Sequence, residues 1–196
     1  MIKISIIAIC FSLLFVMLAW FMLPKFLEQP KYKVVKKIND IEIRKYDKIL
    51  TSSVKVYGNQ YNALRKGFQP LVRYIGAKER DSEKISMTAP VIQTTNDESE
   101  NWTVSFAMPS KYNTDNVPKP ANDDIYFEEI QPSLAAVIRF SGVADISLLN
   151  QKASILKRWL EQNSYTERSS PKFLFYNDPS TPGFLRRNEV MIIIDK

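Results

Sequence analysis

Asn177-Asp178-Pro179-Ser180-Thr181-Pro182-Gly183-Phe184-Leu185-Arg186-Arg187-Asn188-Glu189-Val190 decides how this chain is read, together with the earlier Lys84-Ile85-Ser86-Met87-Thr88-Ala89-Pro90-Val91. Both stretches read as strand ends that run into rigid loops. Proline fixes φ and offers no N–H, so Pro90, Pro179 and Pro182 mark points where sheet pairing stops or an edge begins. Phe106-Ala107-Met108-Pro109, between them in sequence, carries the same punctuation at Pro109.

Working outward, each stretch closes one of two parallel series. Val54-Lys55-Val56-Tyr57-Gly58, a helical pattern and Ile85-Ser86-Met87-Thr88-Ala89-Pro90 match Ile138-Arg139-Phe140-Ser141-Gly142, a second helical pattern and Phe173-Leu174-Phe175-Tyr176-Asn177-Asp178-Pro179. Each half reads strand, helix, strand, strand. Neither half can bury both faces of its sheet alone, so the two are expected to pack around one shared core.

The remaining elements fall between these markers. Segments 33–38 and 41–46 flank Asn39-Asp40 as an opening hairpin, and 48–57 alternates as a further strand. Tyr61, Leu64, Phe68, Leu71, Val72 and Ile75 recur at three- and four-residue steps, predicting a helix over 59–75 stopped at Gly76. Pro70 inside it should kink the helix or end its regular first part. Strands are expected at 85–87, 91–95 and 102–108, with an acidic turn at Asn96-Asp97-Glu98, and a hairpin at 126–130 and 134–140 around Gln131-Pro132-Ser133. Asp145 is a good N-cap for a second helix with Leu149, Ala153, Leu156, Trp159 and Leu160 on one side. Strands at 173–177 and 189–194 complete the sheet.

Residues 4–23 carry no charged side chain and, at about 1.5 Å rise per residue, reach roughly the thickness of a bilayer's hydrocarbon core. Met22-Leu23-Pro24-Lys25 offers no small-residue cleavage site, and Trp20 and Phe21 followed by Lys25 read as an interfacial anchor. The expected organisation is a transmembrane helix over 1–24, a linker over 25–31 and one domain over 32–196. Lys25, Lys31, Lys33, Lys36 and Lys37 favour a cytoplasmic domain, whereas a short N-terminal span is also an export signal-anchor, so the side of the membrane stays open. The net charge of +6 suits anionic headgroups or anionic ligands, and the scattered basic residues form no nucleic-acid motif. Cys10 lies in the apolar span and the chain has no histidine, which excludes Ser-His and Cys-His nucleophiles, His-ligated zinc and His-ligated haem.

The three proline-bearing segments resemble the SOUL haem-binding protein family, over residues 32–196. The resemblance implies an α+β fold, a distorted antiparallel β-barrel of two pseudo-repeated halves flanked by two helices, related to the GyrI-like effector-binding domains. It also implies a non-enzymatic binding protein whose ligand is haem or another tetrapyrrole, held without a covalent bond. In studied members the helix corresponding to 59–75 supplies an apolar face and basic residues near the propionates, and Arg65, Phe68, Val72 and Arg73 match those positions. Those four lie close on one helix surface by their three-, four- and seven-residue spacing. Thr181 stands where animal members carry a basic residue, and the proposed axial histidine of one subgroup has no counterpart. Binding would then be hydrophobic and electrostatic, with at most a tyrosine, lysine or methionine on iron.

Met87 and Met108 sit in strand patterns where a polarizable gap-filler is expected. Arg186 and Arg187 read as a turn-fixing pair that bonds backbone carbonyls or meets a buried acid. The GyrI-like relationship gives a competing expectation, a lipophilic cation met by an acidic residue in the groove, for which Glu128 or Glu129 is placed by the two-residue strand period. A hydrolytic activity using a Glu and a Tyr, and a membrane-bound protein scaffold, complete the alternatives.

Overall fold

The computed structural model describes residues 11–12, 27–78, 83–95 and 101–196. The expected transmembrane segment lies outside the described residues except at Phe11 and Ser12, as does the acidic turn 96–98. Among the described residues no helix is long and apolar enough to cross a membrane.

The chain opens with β1 (Tyr32–Ile38), β2 (Ile41–Tyr46) and β3 (Ile49–Tyr57), followed by α1 (Gln60–Ile75), β4 (Val91–Thr95) and β5 (Asn101–Ala107). Then come β6 (Tyr126–Ile130), β7 (Ser133–Phe140), α2 (Ile146–Gln162), β8 (Thr166–Glu167), β9 (Lys172–Phe175), a 3-10 turn at Gly183–Leu185 and β10 (Asn188–Asp195). The expected opening hairpin is present, its turn made by Asn39 at φ 52°. Both helices begin as the pseudo-repeat requires. Gly58 and Gly142 each adopt φ +123°, and the next helix is capped by Asn59 accepting from the Asn62 N–H at 3.0 Å or by Asp145 accepting from the Leu148 N–H at 2.8 Å.

The strands form one antiparallel sheet in the order β1-β2-β7-β10-β9-β4-β5-β3-β6, with β8 paired to β10. The two halves are related about the β4–β9 pair, where Val91 faces Phe175 and Thr94 faces Lys172. One face carries the helices: α2 covers Ile43, Ile138 and Ile192, and α1 covers Val54, Val104 and Phe106. The other face is also buried, with Tyr46, Ile49, Ile92, Val137, Leu174 and Met191 in a third cluster drawn from both halves. The sheet therefore curls over itself. Only Asp47 and Lys48 separate β2 from β3, and only Gln131 and Pro132 separate β6 from β7, although each pair belongs to opposite ends of the strand order.

Four expectations need correction. The barrel is not closed: among the described residues β1 pairs only with β2 and β6 only with β3. β2 already has neighbours on both edges, and β1 beyond it carries a register shift between Val34 and Lys36 and a row of lysines, features that discourage further pairing. The 126–140 hairpin is replaced by a crossing, because β6 turns back to β3 while β7 joins β2 and β10. Residues 85–87 are not a strand; Ile85 is buried under α1 and its N–H donates to the Ile75 carbonyl at 2.8 Å. Finally, α1 runs uninterrupted through Pro70, whose missing N–H leaves only the carbonyl of solvent-exposed Lys66 unbonded within the helix.

The core-facing stripe of α1 is Ala63, Gly67, Leu71 and Tyr74, displaced from the one read by apolar spacing. Gly67 is what lets α1 approach the sheet, since a Cβ there would lie 2.6 Å from Val104 Cβ. We expect Gly67→Ala to destabilise the fold by about 1–3 kcal/mol through overpacking, read as a lower denaturation midpoint. An unchanged midpoint would contradict this packing.

Candidate functional site

The four residues singled out by resemblance all lie on α1, the two apolar ones flanking its buried stripe and the two arginines facing outward. Arg65 and Arg73 are exposed, whereas Phe68 and Val72 are half-buried. Phe68 packs edge-on against Phe106 at 5.3 Å between centroids, so one edge belongs to the core and the other stays open. Leu64, Phe68 and Val72 repeat at four-residue steps as a half-covered apolar line beside the buried stripe. Tyr61 is 61% exposed at the head of that line, with the Arg65 guanidinium 6.0 Å from its ring. Met87 and Met108 both pack into the cluster beneath α1, as gap-fillers do.

A second polar centre escaped the sequence reading. Glu189 on β10 has no exposed surface and is gripped by Arg44 on β2, itself only 2% exposed, through bonds of 2.8 and 3.0 Å. Arg187 donates twice to the same carboxylate at 3.0 and 2.8 Å, and the Tyr176 hydroxyl donates at 2.8 Å. Arg44 also donates to Glu42 and to the Tyr46 hydroxyl and lies 4.3 Å from the Tyr32 ring centre, and Arg187 lies 3.7 Å from that of Tyr176. Burial alone pushes the Glu189 carboxyl up, but the bonds and charge of Arg44, then Arg187 and Tyr176, overcome it and hold it below the ordinary glutamate value. Burial raises Tyr46 to about 12 and Tyr176 well above the usual tyrosine range.

This centre is satisfied internally and holds no charge free for a ligand. The signal that could have found it is Glu189 within the alternation Glu189, Met191, Ile193, which faces away from α2. Arg187 thus meets a buried acid, and Arg186 bonds the carbonyls of Thr181, at 2.7 Å, and Pro179, as the turn-fixing reading expects. Glu129 pairs with Lys48 at 2.9 Å. Glu128 instead stands at the mouth of a cleft of about 320 Å³ on the helix-free face, with Lys172, Thr94 and Thr103 among its lining. Among the described residues no cluster of His, Cys, Asp and Glu suits a metal ion.

Residues 27–193 match the family described as SOUL heme-binding protein. No curated protein matches. Among solved structures, the EcmrR C-terminal domain is similar with a TM-score of 0.61 and 15% identity, covering 84% of this chain and 98% of that one. EcmrR in a DNA complex matches with a TM-score of 0.61 and 14% identity, covering 80% of this chain and 57% of that one. A hydrolase from Listeria innocua matches with a TM-score of 0.56 and 8% identity, covering 82% and 94%. At these identities the likeness is one of α+β fold alone.

Because the folded Glu189 carboxyl lies below its ordinary value of 4.5, its contribution to stability is complete above that pH and is lost as pH falls through the folded value. Glu189→Gln should cost about 3–5 kcal/mol at neutral pH by leaving Arg44 and Arg187 buried without their counter-charge. Equilibrium unfolding against pH should also show a shallower acid limb in this variant. An acid limb identical to that of the parent would contradict the assignment.

Proposed function

The chain belongs to the SOUL heme-binding protein family, and we propose that it binds haem or a related tetrapyrrole, reversibly and non-covalently, on the outer side of α1. The observation that carries this reading is the half-covered line Leu64, Phe68 and Val72, with exposed Arg65 alongside it and exposed Arg73 farther round the same helix. A tetrapyrrole is flat and apolar with carboxylates at one edge. Its ring would complete the burial of the line, worth roughly 25 cal/mol per Å² of apolar surface removed from water. Its carboxylates would meet guanidinium groups able to bond them bidentately.

The residues fit the macrocycle and its carboxylates better than they fit the iron. No histidine exists, and the nearby methionines pack inward, so the ligand is held by surface burial and charge without a strong axial bond. The role is one of binding, not catalysis. Of the two glutamates expected to meet a lipophilic cation, Glu129 is paired with Lys48 and Glu128 stands exposed at the rim of a cleft floored by threonines and Lys172, a poor seat for a lipophilic cation, which favours the tetrapyrrole over that alternative. Tethering through the apolar segment 4–23 belongs to the same proposal, since haem itself partitions into bilayers.

Titration of the protein with haem, followed at the Soret band, should saturate at one equivalent. Arg65→Glu and Phe68→Asp should each weaken binding about tenfold or more, the equivalent of about 1.4 kcal/mol, with thermal unfolding as the control for folding. Absence of saturation would overturn the haem reading, and saturation indifferent to both substitutions would overturn the α1 site.

A further inference from the structure

The cleft on the helix-free face is a different kind of place from α1. Strand register builds its floor: Lys172 on β9 faces Thr94 on β4, Thr94 faces Thr103 on β5, and Thr103 faces Lys55 on β3. One polar row thus crosses four neighbouring strands on a face whose other positions near the β4–β9 pair, Ile92 and Leu174, are apolar. Beside it runs a chain of hydroxyls, Thr51 to Ser53 at 3.4 Å and Ser53 to Ser105 at 2.7 Å. These positions are buried although no helix covers them, because the sheet curls.

The charges are arranged unlike those around Glu189. Lys172 is half-buried at the inner end of the row, and among the described residues no hydrogen bond or direct ion pair closes on its ammonium. The counter-charge in range is Glu128, exposed on β6 at the rim, brought near by the curl although four strand steps away. Burial pushes the Lys172 ammonium down and Glu128 draws it partly back, a strain that a bound anion would relieve. Lys55, 6.0 Å from the Tyr126 ring centre, adds a second cation at the rim. A desolvated cation and a separate carboxylate opening into one hydroxyl-lined cleft match a ligand that carries both charges.

We propose that this cleft binds a small zwitterion of amino-acid size, its carboxylate set inward on Lys172, Thr94 and Thr103 and its ammonium on Glu128 at the mouth. The volume of about 320 Å³ stands at the lower end of the roughly 300–1,000 Å³ of small-molecule pockets, and the polar floor is unsuited to a macrocycle. The site is therefore independent of α1, and either can fail without the other.

The test uses three probes of one chain length, 5-aminopentanoate, pentanoate and pentylamine, titrated calorimetrically into the full chain. The zwitterion should saturate, with the two singly charged probes at least tenfold weaker. Lys172→Met and Glu128→Gln should each weaken the zwitterion at least tenfold, Lys172→Arg should retain it, and haem titration should be unchanged in all three. Glu128 is exposed, so its variant keeps the test decisive if Lys172→Met fails to fold. Equal binding of all three probes, no saturation by any, or zwitterion binding indifferent to Glu128→Gln would overturn the proposal.

Discussion

The pairing of β4 with β9 is the constraint from which the rest of this structure follows. Each half supplies a helix and a small sheet with two faces to bury, and a helix covers only one of them. Joining Val91–Thr94 to Phe175–Lys172 makes one sheet of the two, and its twist and curl bring the helix-free faces together. Packing then resolves into three clusters, one under each helix and one inside the curl. The short crossings at Asp47-Lys48 and Gln131-Pro132 are possible only because opposite ends of the strand order have been brought within reach of each other.

The two faces differ in what they leave undone. Under α2 Leu149, Leu156 and Leu160 are wholly buried, and the half-buried Trp159 is covered by its stack on Tyr165. Under α1 the close approach at Gly67 sinks one stripe, while the adjoining Leu64, Phe68 and Val72 remain half-covered. Inside the curl, Glu189 is neutralised by Arg44 and Arg187, but Lys172 faces its counter-charge across open space. Both unfinished places lie in the first half or at its seam with the second. The second half, with Arg44 and Glu189 joined across β2 and β10, completes the sheet.

Local pattern made much of this legible. The helices over 60–75 and 146–162, their caps at Asn59 and Asp145, and the paired series of strands follow from apolar spacing and capping chemistry. What depended on strand partnership was not legible. Gln131-Pro132-Ser133 has the composition of a hairpin turn, and only the curl explains why β6 and β7 part there. Ile85 is apolar and flanked by polar residues, a strand pattern that serves instead to plug the bottom of α1. Two adjacent glutamates in a strand, Glu128 and Glu129, point to a buried acid by the two-residue period. Glu189 gives no such signal, because its partner Arg44 lies far away in sequence and an arginine in an early hairpin reads as solvent-facing until β2 pairs with β7. On α1, spacing identified the helix, while its innermost positions, Gly67 and Ala63, are too small to stand out as apolar.

The central claim is that the uncovered side of α1 is where a tetrapyrrole rests, and mapping by backbone amide NMR with diamagnetic zinc protoporphyrin tests it most directly. The account predicts saturable shifts concentrated within Gln60–Ile75, greatest around Leu64, Phe68 and Val72, with the amides of β9 and β10 unmoved. Shifts centred on the strands of the curled face, with α1 silent, would contradict it.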